Sequence, residues 1–162
     1  VIETQESGKR IIDKSGPLDN PADRDHCIQY MVAVPLIQGS LTAEDYEEAV
    51  ATDPRIDALR AKMEVVENAN FTRDYLDPEK RSIGNAIQIF FNDGSATERV
   101  AVEYPIGHRR RRAEGIPVLE KKFERNLRGR IPARQADEVL EILQGGDLES
   151  TSVSELMDLL TI

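Results

Sequence analysis

"SIGNAIQIFFNDGSATERVAVEY", residues 82–104, is the segment that decides the fold class. Ile87, Ile89 and Phe91 alternate with other residues before the turn, and Val100 and Val102 alternate after it. Asp-Gly between two alternating apolar runs is a strong hairpin signal, because these residues tolerate the backbone angles of a tight turn. The segment therefore predicts two antiparallel strands.

On both sides of this hairpin the sequence is mostly helical. Helix-start signals occur at Pro21, at Thr42 and at Thr52–Pro54, and three further helices are predicted from Ile116 onward. Short strands are predicted at residues 10–13 and 64–68, and the polar stretch 70–81 is predicted as a loop. The expected fold is α+β: a small antiparallel sheet with a strong hairpin, flanked by several helices. Residues from about 10 to 115 form the α+β part, and residues from about 116 to 162 form terminal helices.

The composition restricts the possible chemistry. Hydrophobic residues make up 40% of the 162 residues, with no apolar run of membrane-spanning length. Cys27 is the single cysteine and the chain has two histidines, which excludes an internal disulfide and a closed Cys/His zinc site. We expect chemistry without a metal or other cofactor, in a cytoplasmic protein. The few short strands predicted make a thin sheet for 162 residues, so the apolar helix faces are expected to need a further surface.

Charge is distributed unevenly along the chain. The net charge is −9, yet residues 108–134 hold ten Lys or Arg and only three Glu. This basic band is compatible with binding of nucleic acid or a small polyanion, or with neutralisation of the protein's own acidic surface. No aromatic residue is interleaved among the arginines of residues 109–112 for base stacking, which argues against nucleic acid. Four consecutive arginines, Arg109 to Arg112, cannot all face one pocket, so at most two are expected to contact a ligand.

A second candidate lies in "PADRDHCIQYMVAVPL", residues 21–36, which is predicted as one helix. His26 and Tyr30 are four residues apart and would share one helical face. An imidazole beside a phenol can hold and move a proton near neutral pH. The alternative is that His26 makes a first-turn contact and Tyr30 is half-buried. Cys27 lies on the apolar stripe and is expected in the core rather than as a nucleophile.

Four longer strings of the sequence are "SGPLDNPADRDHCIQYMVAVPLIQGSLTAEDYE", "DPRIDALRAKM", "FTRDYLDPEKRSIGNAI" and "VEYPIGHRRRRAEGIPVLEKKFERNL". They resemble the MmgE/PrpD family, in particular its members that dehydrate 2-methylcitrate. The resemblance runs from about Arg10 to the C-terminus and weakens after Arg134.

The resemblance implies a hydro-lyase that converts 2-methylcitrate to 2-methyl-cis-aconitate in propionate catabolism, without an iron–sulfur cluster. It also implies that a large all-helical domain precedes this α+β region in a homodimeric enzyme. The family's main histidine and lysine positions then lie upstream of Val1. We therefore expect the chain to be inactive alone and to need the missing helical domain, with a small tricarboxylate as the substrate and neither nucleic acid nor a membrane as a partner.

The resemblance also implies candidate site residues. In related cis-aconitate decarboxylases a tyrosine of the corresponding helix lines the active site, and "HCIQY" places it at Tyr30, with His26 matching a histidine of the same motif. Tyr30 and His26 are the catalytic candidates, and His108 and Arg109 are candidates for binding a substrate carboxylate. Decarboxylation of cis-aconitate and epimerisation of an amino-dicarboxylate are alternatives on the same scaffold. A non-enzymatic interaction module that uses the basic band is a third.

Overall fold

The computed structural model describes residues 1–146 and 148–161. It divides the chain into two compact units, Val1–Pro105 and Ile106–Ile162, and each is described by itself.

Unit 1 is built on a four-stranded sheet in the order β2-β1-β3-β4. The strands are β1 (Ile2–Thr4), β2 (Val65–Glu67), β3 (Asn85–Ile87) and β4 (Val100–Val102). β1 and β2 run parallel, whereas β1–β3 and β3–β4 are antiparallel. The predicted α+β class with flanking helices is confirmed, but the sheet is mixed rather than antiparallel. The chain between β1 and β2 crosses over through helices, and such a connection brings the second strand back parallel to the first.

The predicted hairpin is confirmed. β3 and β4 pair antiparallel, and an isolated bridge between Phe90 and Ala96 continues the pairing toward the turn. Gly94 has φ +86°, a conformation that side chains with a Cβ rarely adopt. The Ser95 amide and hydroxyl donate to the Asp93 carboxylate at 2.9 and 2.6 Å, which fixes the turn.

Two of the local predictions are wrong. Residues 10–13 are not a strand, because Glu6–Ile12 form the first helix and the strand is Ile2–Thr4 instead. Residues 70–81 are not all loop, because Ala69–Leu76 form a helix. Asn68 caps this helix: its side-chain oxygen accepts from the amides of residues 70 and 71 at 3.0 and 3.3 Å. Polar composition favoured a loop, but a good N-cap and one apolar face suffice for a short helix.

The helices of unit 1 pack around one helical core and one sheet-facing core. Their bounds are α1 (Glu6–Ile12), α2 (Pro21–Asp25), α3 (Ile28–Gln38), α4 (Glu48–Ala51), α5 (Pro54–Arg60) and α6 (Ala69–Leu76), with a 3-10 turn at Ala43–Tyr46. α3 packs against α5 around Tyr30, Val34 and Ile56. On its other side, Ile28 of α3 packs with Ile2 and Val65 of the sheet. α3 therefore joins the two cores.

Unit 2 is helical, as the sequence predicted for this part of the chain. It contains a 3-10 turn (Arg109–Arg111), α7 (Arg112–Arg128), α8 (Ala133–Gly145) and α9 (Val153–Leu159). Leu127, Ile131 and Val139 are among the buried residues of its core. α7 begins four residues earlier than the predicted start at Ile116.

Candidate functional site

The segment 21–36 forms two helices rather than one. α2 ends at Asp25 and α3 begins at Ile28, with His26 as the C-cap of the first and Cys27 as the N-cap of the second. The prediction that His26 and Tyr30 share one helical face is therefore wrong. Both junction residues leave helical backbone angles, and this break lets Cys27 be fully buried while the neighbouring His26 side chain stays 60% exposed. The prediction of Cys27 as a core residue is confirmed.

His26 is held by its sequence neighbour. Its Nδ1 lies 2.5 Å from Oδ1 of Asp25. A carboxylate accepts and cannot donate, so this contact places the ring proton on Nδ1 and leaves Nε2 as the acceptor in neutral histidine. The arrangement suits a group that takes up a proton from solvent or from a ligand. The sequence pattern pointed to His26, but it gave no sign of the role of Asp25 other than its position next to His26.

Tyr30 is a buried hydrogen-bond donor. It is 2% exposed, its hydroxyl donates to the Asp45 carbonyl at 2.5 Å, and its ring stacks on Tyr46 at a centroid distance of 5.9 Å. Burial raises the pKa of the Tyr30 hydroxyl above its ordinary value of 10.0; the positive charge of Arg24 opposes this shift. The phenol is therefore protonated at neutral pH and can act as an acid, but its proton is already engaged by a backbone carbonyl.

Arg24 binds the same turn as Tyr30. Its buried guanidinium donates to the Tyr46 carbonyl at 2.7 Å and to the Leu18 carbonyl at 3.4 Å, and it forms an ion pair with Glu48. The consecutive carbonyls of residues 45 and 46 are thus bound by Tyr30 and by Arg24 respectively. Arg24 could not be recognised from the sequence, because an arginine in a polar helix start gives no sign that it will be buried.

A polar cleft of about 580 Å³ lies beside α3 and α5 in unit 1, and Lys14, Gln29 and Arg60 contribute to its lining. Gln29 is buried and donates to Asp13 at 2.6 Å, while Arg60 binds Asp57 at 2.5 Å and the Gly16 carbonyl at 3.0 Å. The cleft is lined by acidic as well as basic groups, and Arg60 is already paired with one of the carboxylates. The mixed charge of the cleft therefore does not by itself favour an anionic ligand.

The second candidate pair belongs to unit 2. His108 caps the 3-10 turn: its Nδ1 accepts from the Arg110 amide at 3.1 Å, so the proton of the neutral ring is on Nε2. Arg109 is exposed, and Arg111 is paired with Glu114. His108 and Arg109 lie next to each other in unit 2, while His26 and Tyr30 belong to unit 1.

In the part of the chain that the structure describes, no three His, Cys, Asp or Glu side chains converge in the way that metal ligands do. None of its helices combines the length and the apolar character needed to cross a bilayer.

Comparison with known proteins is consistent with the resemblance noted in the sequence. The sequence model of the MmgE/PrpD C-terminal domain matches residues 1–145. The chain is similar to 2-methylcitrate dehydratase of Salmonella typhimurium, with 59% identity over all of this chain and 34% of the relative. For the protein of the same name from Escherichia coli strain K12 the identity is 58%, with the same two shares. For the mitochondrial 2-methylcitrate dehydratase of Yarrowia lipolytica it is 56%, over 98% of this chain and 30% of the relative.

The chain thus spans about a third of the length of these curated relatives. Since the domain match extends over most of the residues and the identity over all of them is high, the chain belongs to the MmgE/PrpD family and contains its C-terminal domain.

Proposed function

We propose that the polypeptide to which this chain belongs is a 2-methylcitrate dehydratase, a hydro-lyase that converts 2-methylcitrate to 2-methyl-cis-aconitate. The observation that carries the proposal is the identity of 56–59% to proteins of that name, across 98–100% of this chain. Its role would be in propionate catabolism, in the cytoplasm, as part of a homodimer. Since the chain spans only a third of those relatives, we propose that it supplies one part of the active site and has no activity alone.

The chemistry assigns different tasks to the candidate residues. Dehydration breaks a C–H bond beside a carboxylate and a C–O bond at the neighbouring carbon: a base takes the proton, and an acid protonates the departing hydroxide to give water. His26, with Nε2 free to accept, fits the base. Tyr30, a protonated phenol, fits the acid. His108 and Arg109 fit the groups that bind a substrate carboxylate.

The structure sets a condition on the assignment of Tyr30. Its hydroxyl donates to the Asp45 carbonyl in this chain. To protonate a leaving hydroxyl, it would have to exchange that carbonyl for the substrate. A tyrosine that does not make this exchange would only position the turn at residues 45 and 46.

The test compares two proteins on three substrates. One is the isolated 162-residue chain. The other, called the joined polypeptide, is the Salmonella typhimurium relative with its matched third replaced by this chain. Each is given 2-methylcitrate, citrate or cis-aconitate, and the unsaturated product is followed by ultraviolet absorbance, with the unmodified relative as positive control. We expect turnover of 2-methylcitrate by the joined polypeptide and none by the chain. Release of CO₂ from cis-aconitate, or a folded joined protein with no dehydratase activity, would contradict the proposal.

A further inference from the structure

An apolar groove of about 330 Å³ opens on one face of the sheet in unit 1. Its floor is formed by Ile87 of β3 with Val100 and Val102 of β4, and its wall by Ile12 of α1 with Ile28 and Met31 of α3. No charged side chain of the described residues lines it. The groove is separate from the polar cleft and from the candidate catalytic residues.

The register of the sheet explains why the groove is open. Ile2 of β1 lies opposite Val65 of β2 on one side and opposite Ile87 of β3 on the other, and Ile87 lies opposite Val100 of β4. Directly opposed residues point to the same face of a sheet. On this face Ile2 and Val65 are buried, packed with Ile28, whereas Val100 is 58% exposed.

The helices therefore cover one half of an apolar face and leave the other half bare. Val102, two residues further along β4 and on the same face, is 45% exposed. A sheet face with apolar residues is stable when a second layer excludes water from it, and a contiguous exposed apolar patch marks a place where another element binds.

We propose that this groove is the docking site for an apolar helix from another part of the same polypeptide, in the two thirds of the relatives' length that this chain does not span. A helix fits best, because α1 and α3 already form a helical layer on this face and a neighbouring helix would continue it over β3 and β4. The uncharged lining requires apolar residues at helical spacing on the side that faces the sheet.

The length and the local geometry favour this occupant. The relatives contain about twice as many residues outside the match as within it, so they have ample chain to supply the helix. The Val1 amino group donates to the Gln88 carbonyl at 2.9 Å, beside β3. In a longer polypeptide, a residue before Val1 would thus emerge from a strand that forms part of the groove. The proposal rests on the family match and its coverage, and not on the dehydratase activity.

Thiol accessibility tests the proposal directly. Cys27 is the only natural cysteine and is fully buried, so an introduced cysteine reports on its own surroundings. Val102→Cys places a thiol in the groove, and Ala101→Cys places one on the opposite face of the same exposed strand. Each is made in the isolated chain and in the Salmonella typhimurium relative whose matched third is replaced by this chain. Maleimide labelling is then read at the introduced position by peptide mass spectrometry.

We expect Val102→Cys to react at least tenfold more slowly in the joined polypeptide than in the isolated chain, and Ala101→Cys to change less than threefold. Equal rates for Val102→Cys in the two proteins would overturn the proposal. So would equal slowing of Ala101→Cys, since the protection would then not belong to the groove. Labelling of Val102→Cys that slows with rising concentration of the isolated chain would also overturn it, because a second copy would then be the occupant.

Discussion

At the scale of single residues, the Tyr30 hydroxyl donates a buried hydrogen bond to the Asp45 carbonyl and is also the group we propose as the acid of the dehydratase. Tyr30→Phe removes only this oxygen and leaves the Asp45 carbonyl without its donor. Loss of a buried hydrogen bond costs about 1–3 kcal/mol of unfolding free energy. If Tyr30 is also the acid of the proposed dehydratase, kcat of the joined polypeptide should fall at least about tenfold. Urea unfolding and turnover of 2-methylcitrate measure the two effects.

Tyr46→Phe is the matched control for this variant, because it keeps the stacked ring pair and the bond from Tyr30 to Asp45. It should leave kcat within about twofold of the parent protein. If Tyr30→Phe has normal kcat and only reduced stability, Tyr30 acts through packing alone and the site must use another acid.

The contribution of Glu3 to the free energy of unfolding depends on pH. Two hydrogen bonds from Arg99, at 2.5 and 2.7 Å, and one from Asn68 at 2.5 Å lower the pKa of Glu3 from 4.5 to about 2. Because the folded pKa is below the unfolded value, this stabilisation is present above pH 4.5 and is lost as pH falls from 4.5 toward 2. After allowance for partial exposure of the pair, we expect about 1–2 kcal/mol.

Glu3→Gln should lower the free energy of unfolding by this amount at pH 6 and flatten its dependence on pH below 4.5. Urea titrations at pH 6, 4.5 and 3.5 test this. Arg99→Lys keeps the charge but loses the two-point contact, so it should give an intermediate slope. A parent and a Glu3→Gln variant with parallel profiles would show that the carboxylate does not contribute.

Single residues also show where sequence reasoning stops. The position of Cys27 in the core could be predicted, because burial follows from an apolar residue in an apolar stripe. The break at His26 and Cys27 could not, because His and Cys are ordinary helix residues with no Gly or Pro between them. Tertiary packing of Cys27 and Arg24 overrides the local preference there.

At the scale of elements, Gly115 in α7 has a role that its helix propensity would not predict. An alanine Cβ at this position would lie 2.1 Å from the backbone oxygen of Ile106. Gly→Ala inside a helix ordinarily stabilises by about 1 kcal/mol, but overpacking against backbone costs about 1–3 kcal/mol or more. We expect Gly115→Ala to destabilise the protein by about 1–2 kcal/mol in urea unfolding.

Gly145→Ala provides the control in α8, where the added Cβ would make an ordinary contact at 3.7 Å with the Glu141 side chain. It should be neutral or slightly stabilising. If both variants stabilise equally, the segment at Ile106 moves aside freely, and the close approach of Gly115 does not constrain the start of α7.

The elements differ in how far their sequence determines them. The hairpin could be predicted because turn and strands are local and agree with one another. The parallel partner of β1 could not, because Ile2 and Val65 are brought together by packing across the 62 residues of intervening chain. The helix of residues 69–76 depended on one cap, Asn68, within a segment of polar composition. Local signals therefore gave the hairpin, while long-range pairing needed the structure.

At the scale of the whole molecule, the candidate site also depends on long-range packing that local sequence signals do not predict. The chemistry of their side chains suggested His26, Tyr30, His108 and Arg109 as candidates. Which groups hydrogen-bond to these side chains is determined by the packing of the fold. Asp25 beside His26 and the Asp45 carbonyl bound by Tyr30 are examples.

The charge distribution of the whole molecule argues against an interaction module that binds nucleic acid, which is the alternative to the proposed dehydratase. Within the basic band, Arg111 pairs with Glu114, Arg128 with Glu124 and Asp137, and Arg134 with Glu138. Phosphates would have to displace these carboxylates and approach a chain of net charge −9.

We therefore expect no saturable binding of a labelled 20-base-pair duplex or of a single strand of equal length in fluorescence anisotropy at 50 mM salt, up to about 100 µM protein. Ordinary non-specific binders have Kd values of about 10⁻⁴ to 10⁻⁶ M and weaken steeply with salt. Binding near 10⁻⁶ M that falls between 50 and 200 mM salt, and that Arg109→Ala with Arg110→Ala removes, would favour the interaction module.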